Sequence, residues 1–519
     1  MKKIIPIKTL LLLVILFVSS CNKDILNYSD LKNYNTDNYF KTPAEIQASS
    51  TAIYNAPRMN GMMGFQWEEI WDVMAGESEP TAAALPNEKD MVPIWQYIFV
   101  NSNSAINRLW TVMYKTILRS NLTIDKAQAY IIANGDDAKH IVSMSQGEGY
   151  FMRGWAYSQL AFSFGRVPMR TTYEQAGNED APRSATVDIV WAQAEKDLKA
   201  AQLLLPDSWD ATNTGRATKG SATGFLGKLY LYNKKYAEAD AEFAKLAGRY
   251  SLLPIAKYMD NFGETNENNQ ESVFEIQFAW FAGNDLWGPV GSVEGANKPS
   301  THTTGPTLYG WNDWGNWKFN PRRVLDFTYN DESGKSYNDP RAKYTFYGGI
   351  GDMTWQDNMP SGPIPYDFAK LGYWYKKVTN KENKVTENTC QSGNNLRLMR
   401  YADVLLMQAE CKLFTGNIPG CISYINQVRS RIGAFTYQGS YTQTQAFDLL
   451  KRERQVELMG EGHRFNDLKR WGILVEVMNV EMQATFGNSN VESKHYLFPI
   501  PQQEIDSNLG LGDVKDQWN

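Results

Sequence analysis

The sequence predicts a mainly α-helical chain, a scaffold of stacked helix pairs carrying one loop-rich, aromatic-rich insertion that contains short strands. Three observations predict it. Apolar residues recur at helical spacing, with start and stop signals, through residues 42–260 and again through 389–519. Between 261 and 388 that period fades, and Gly, Pro, Asn and Tyr become frequent. Seven of the 16 tryptophans (Trp280, Trp287, Trp311, Trp314, Trp317, Trp355 and Trp374) fall in that stretch. Of the 519 residues, 43% are hydrophobic and 21% charged, a globular balance. Lys plus Arg is 52 against 57 Asp plus Glu, a net charge of -5. An acidic chain lacks the basic patches that displace counterions from nucleic acid.

Residues 1–20 read as a secretory signal peptide. Lys2, Lys3 and Lys8 precede the apolar run Leu10 to Val18, which is too short to span a bilayer at ~20 residues. The run ends in Val18-Ser19-Ser20-Cys21, similar to a bacterial lipobox in which Cys21 becomes the lipidated first residue. Two or more acyl chains make a stable anchor. Residues 21–41, rich in Asn, Asp, Lys and Tyr, suit a tether between lipid and body.

Thr42-Pro43-Ala44-Glu45 starts the body, with Thr at an N-cap, Pro in the first turn and Glu at the third position. Helical spacing continues over Ser104 to Ala133, Gly147 to Phe164 and Thr186 to Leu205, where Pro206 stops it. Within Ala222 to Leu246, Leu226-Gly227, Tyr230, Ala239 and Phe243 fall on the spacing of a tetratricopeptide repeat. A similar pair runs over Tyr401 to Phe414 and Ile418 to Ile432. Such pairs cannot bury their faces alone, so several must stack. Ser272 to Phe278 is a strand-length apolar run.

Several motifs, in order, resemble the SusD/RagB family of outer-membrane nutrient-binding lipoproteins. They are Gly147-Glu148-Gly149-Tyr150-Phe151-Met152-Arg153 running to Phe164-Gly165-Arg166-Val167-Pro168, Arg216 to Ala222, and Asp339-Pro340-Arg341. Arg400-Tyr401-Ala402-Asp403 with Ala409-Glu410 follows, then Glu453 to Trp471 and Phe498-Pro499-Ile500-Pro501. Asp403 stands where that family usually has Glu, and Gly154 where it has Ala. The resemblance implies four tetratricopeptide-like helix pairs supporting a variable ligand-binding region. It further implies a lipoprotein in the cell outer membrane, facing outward, that binds glycan and delivers it to a SusC-like TonB-dependent transporter. The expected organisation is an N-terminal helical part over 42–260, the variable region over 261–388 and a C-terminal helical part over 389–519.

The aromatic residues fit a binder. A sugar ring stacks its C–H face on Trp or Tyr while its hydroxyls seek Asn, Asp, Gln and Arg. Stacking removes apolar area from water at ~25 cal/mol per Å². One candidate cluster is Trp67, Trp71 with Asp72, and Trp95 with Gln96. The other is Trp287, Tyr309, Trp311, Trp314 and Trp317, with Asn284, Asp285, Asn312 and Asp313 interleaved. Trp67, Asp72, Trp95, Gln96, Trp287, Tyr309 and Trp314 are the candidate ligand residues. No catalytic residue is assigned. Glu453, Glu457 and Glu461 recur at helical spacing beside Arg454 and Arg464, which suits ion pairing better than the two facing carboxyls of a glycosidase. Nucleophile-elbow, zinc-protease, Walker and dinucleotide signatures are missing. Cys390, Cys411 and Cys421 lack metal spacing, the four histidines are scattered, and no metal or cofactor is expected. The rival readings are a repeat scaffold whose only ligand is protein, and a surface glycoside hydrolase.

Overall fold

The computed structural model describes residues 39–58, 67–82, 84–135, 139–173, 178–279, 315–331, 333–347, 354–355, 364–365, 372–377, 393–512 and 518. The signal peptide and Cys21 lie outside them, as do Trp287, Tyr309, Trp311 and Trp314.

The helical body opens where the cap signal places it. In α1 (Pro43–Ile53), Thr42 Oγ1 accepts the Glu45 N–H at 3.3 Å, and Glu45 Oε2 accepts the Thr42 N–H at 2.8 Å. Then come α2 (Trp67–Met74), α3 (Met91–Trp95), α4 (Ser104–Asn134), α5 (Lys139–Phe164), α6 (Val187–Leu204), α7 (Lys219–Tyr232) and α8 (Tyr236–Ala244). From α4 to α8 each helix packs against the next. The repeat signature has the expected physical cause. A Cβ on Gly227 would sit 2.6 Å from the Phe243 ring, so only glycine lets α7 and α8 approach this closely. The glycines at 147 and 149 read as a helix boundary, yet α5 already begins at Lys139. Gly149 is a contact point rather than a stop, since a Cβ there would meet Ile124 of α4 at 2.8 Å.

The C-terminal part adds α9 (Ala342–Thr345), α10 (Tyr401–Phe414), α11 (Ile418–Arg431), α12 (Gln443–Leu458), α13 (Arg464–Arg470), α14 (Leu474–Phe486) and α15 (Gln502–Ser507). Helix α10 packs on α11 and α12 and also on α8, which joins the two helical stretches. The run from Glu453 to Trp471 is two helices, broken by a turn at Met459 to His463.

Short strands supply the rest: β1 (Ser78–Pro80), β2 (Ser272–Ile276), β3 (Trp317–Phe319), β4 (Thr328–Asn330), β5 (Ser336–Asn338), β6 (Phe346–Tyr347), β7 (Thr354–Trp355), β8 (Ile364–Pro365), β9 (Trp374–Tyr375) and β10 (Leu396–Arg400). Among the described residues they form antiparallel pairs only: β1 with β3, β2 with β10, β4 with β5, β6 with β9 and β7 with β8. The fold is thus mainly helical, with short strands concentrated between 272 and 400. One apolar core reaches from Ile53 to Leu511, and a satellite cluster around Leu406, Ile425 and Leu450 fills the space between α10, α11 and α12.

Candidate functional site

The early aromatic cluster turns inward. Trp71 is 2% exposed and stacks on Phe465 of α13 at 5.6 Å between ring centroids. Trp95, a candidate ligand residue, is buried and set edge-on against Phe486 of α14 at 4.5 Å. Asp72 is buried too, with Oδ1 accepting the Gly462 N–H at 3.0 Å. Trp95 and Asp72 are therefore packing and positioning groups rather than a ligand wall. Their partners lie some 390 residues on in the chain, which local pattern could not reveal. Trp317 of the second cluster is likewise sealed, at 0% exposed. Gln96 ends α3 half-buried, and the Trp67 side chain lies outside the described residues. Trp287, Tyr309 and Trp314 fall in the segment 280–314, also outside them.

What the structure does give for that segment is both of its feet. It leaves β2 through Phe278, whose N–H donates to Asn395 Oδ1 at 2.7 Å. It returns at Gly315 and Asn316, whose carbonyls accept the Thr81 hydroxyl and N–H, each at 2.9 Å. Asn316 Nδ2 donates to Glu88 Oε1 at 2.5 Å, and β3 then pairs with β1 directly after α2. The returning foot thereby lies against residues 78–88, the stretch that follows α2. Thr81 and Glu88 carry no signal in the sequence. The alternation Trp317-Lys318-Phe319 is the trace that marks the returning strand.

Carboxyl groups lie near the returning foot at Asn316. Burial pushes the Glu69 carboxyl well above its ordinary range, with neighbouring Glu88 acting the same way. Burial also raises Glu77 to about 7, against the pull of Arg464 and the Gly460 N–H, which donates to Glu77 Oε2 at 3.2 Å. Glu69, Asp72 and Glu77 are all nearly inaccessible, at 1% exposed or less, so they do not face one another across a cleft that a substrate could enter.

The carboxylates at helical spacing are ion-paired, as the sequence indicated, but with cations from elsewhere in the chain rather than with Arg454 or Arg464. Arg341 bonds Asp339 at 2.8 Å, Glu453 at 2.7 Å and Glu457 at 3.0 Å. Arg400 bonds Glu271 at 2.5 Å and Glu461 at 2.7 Å, Arg429 bonds Glu453 at 2.8 Å, and Arg431 bonds Glu457 at 2.6 Å. Lys377 Nζ completes the cluster on Glu461 at 2.9 Å. Burial alone would raise Glu457, but Arg431, Arg400 and Arg341 outweigh it and hold its carboxyl well below the usual range. Asp403 is depressed in the same manner, by Lys228, His463 and Arg454 against burial. This is a sealed ion cluster that locks β10, α11 and α12 together. Cys411 and Cys421 are buried, as expected of small apolar residues. Among the described residues, no group of three or more His, Cys, Asp or Glu is arranged to hold a metal ion.

Comparison with known proteins accounts for nearly the whole chain. The model of the SusD family matches residues 270–517, and a model described as starch-binding associating with outer membrane matches residues 28–231. A SusD-like protein of Formosa agariphila is 23% identical over 91% of each chain. A SusD superfamily protein from Bacteroides vulgatus superposes with a TM-score of 0.72 at 26% identity, covering 91% of this chain and 98% of that one. Surface glycan-binding protein A from Bacteroides thetaiotaomicron, solved with laminarihexaose, gives 0.70 at 22% identity over 90% and 98%. At that identity the last likeness speaks for the fold alone.

Proposed function

The chain belongs to the SusD/RagB family, and from that premise we propose that it is an outward-facing outer-membrane lipoprotein that binds glycan and passes it to a SusC-like TonB-dependent transporter. The observation that carries the reading is the anchoring of the tryptophan-rich segment 280–314 at both ends, beside β2–β10 and beside β1–β3, on a SusD-type helical body. The reading gives Trp287, Tyr309 and Trp314 the task of stacking on sugar rings, with Gln96 the half-exposed polar group retained from the early cluster. The relative solved with laminarihexaose supports glycan as the ligand class, and the description of the matched family model supports the outer membrane. Cys21 after an apolar signal supports the lipid anchor. The role is binding rather than hydrolysis. Supporting this, Glu453, Glu457 and Glu461 are engaged by buried cations, whereas a glycosidase needs two carboxyls across a sugar-sized gap.

The test is affinity electrophoresis of the soluble chain lacking residues 1–21, in gels containing laminarin, starch, mannan or polygalacturonate. At least one polymer retards the protein, and Trp314→Ala or Trp287→Ala weakens the retardation. Migration unchanged by all four polymers overturns the reading.

A further inference from the structure

We propose a second glycan subsite, in the groove between α10, α11 and the loop 437–441; the inference rests on the glycan-binding reading above. The groove has a volume of about 980 Å³, at the upper end of the ~300–1,000 Å³ of ligand pockets. Its floor is apolar, made by Leu405, Ile418 and Ile422. Tyrosines stand at its sides: Tyr250 and Tyr401 lie 6.2 Å apart with their rings tilted by 32°, and Tyr437 and Tyr441 lie 6.1 Å apart, nearly perpendicular. The rim carries Ser251, Ser423, Gln427 and Ser430, all exposed.

Charge identifies the occupant. Among the described residues, none that lines this groove is Asp, Glu, Lys, Arg or His, in a chain where 21% of residues are charged. A concavity with ring faces, hydroxyls and amides but no ionic group matches an uncharged polyhydroxylated ligand. It offers nothing to a phosphate, a uronate or a basic peptide. Its size suits a short run of sugar rings rather than one.

The groove also has a continuation. A second concavity of about 400 Å³ shares Tyr250 and is walled by β2; it carries Trp209, Asn268 and Gln270 and, unlike the groove, the charged Asp207, Arg216, Arg249 and Glu275. Strand β2 is the element from which segment 280–314 departs. A polymer leaving the groove past Tyr250 would therefore enter this second concavity beside Trp209. Two modest subsites on one chain of sugar raise the effective concentration at each other, so a long polysaccharide is held more tightly than a short fragment.

Ser423→Trp fills the groove from an exposed helical position, and Gln427→Ala removes one rim amide from another; both leave the core untouched. The soluble protein is run in gels of laminarin, starch or mannan, with polygalacturonate as the charged comparison. Ser423→Trp lowers the apparent affinity for the neutral polymer at least about fivefold, the worth of one polar contact. Gln427→Ala lowers it less, and both variants keep the melting temperature of the parent. Unchanged retardation in both variants, or retardation by polygalacturonate alone, overturns the subsite while leaving the glycan-binding reading standing. If no polymer retards even the parent, that reading fails and the subsite falls with it.

Discussion

Glu457→Gln tests the buried ion cluster with the least change in shape. Glu457 is 0% exposed and accepts from Arg431 at 2.6 Å, Arg341 at 3.0 Å and Arg400 at 3.3 Å. The amide keeps the volume but removes the negative charge. The cations would then share Asp339, Glu271, Glu453 and Glu461, one acid short. Removing one partner from a buried pair costs about 3–5 kcal/mol. Unfolding entropy is ~2.1 cal/mol/K per residue, so for a chain of this length each kcal/mol moves the midpoint by about 1 °C. Calorimetry at pH 7 should therefore show a fall of about 3–5 °C. Glu195→Gln is the comparison, because its partners Lys199 and Lys235 are about half exposed and such pairs are worth less than ~1 kcal/mol. The depressed carboxyl of Glu457 contributes stability that is fully present above its unfolded value of ~4.3 and is lost as pH falls toward the lower folded value. The gap between parent and Glu457→Gln should accordingly narrow below about pH 4. A variant that melts with the parent, or no lower than Glu195→Gln, refutes the claim that this cluster holds the C-terminal part together.

Three further outcomes follow from particular residues. Burial lowers His463 from 6.5 to about 4, so the unfolded chain takes up the proton first and stability falls as pH drops from 6.5 towards 4; in His463→Asn, urea midpoints between pH 7 and 4.5 should decline less steeply than in the parent. Gly227→Ala, which would stabilise an ordinary helix interior by about 1 kcal/mol, should instead destabilise this one by about 1–3 kcal/mol, because the new Cβ would lie 2.6 Å from Phe243; a raised melting temperature would contradict the close packing of α7 on α8. Cys21→Ser in the full chain should move the protein out of the detergent-extracted membrane fraction and abolish labelling by radioactive palmitate.

Much of the helical body was legible in the sequence because its causes are local. Thr42 and Glu45 close a capping box within four residues, and Gly227 meets Phe243 on the adjoining helix sixteen residues away. That Glu453 and Glu457 serve ion pairing could also be read, but not their burial or their partners, which are Arg341, Arg400, Arg429 and Arg431 rather than Arg454 and Arg464 beside them in the chain. Trp95 and Asp72 show where that reading stops. A tryptophan beside a polar residue has the same local pattern whether it faces a sugar or a helix of its own chain, and only Phe486 and Gly462, brought from the far end of the sequence, decide which. The groove beside Tyr401 was equally hidden. Its walls come from four stretches, 250–252, α10, α11 and the loop 437–441, whose spacing in the chain follows no motif, so tertiary packing creates a concavity that no run of residues announces.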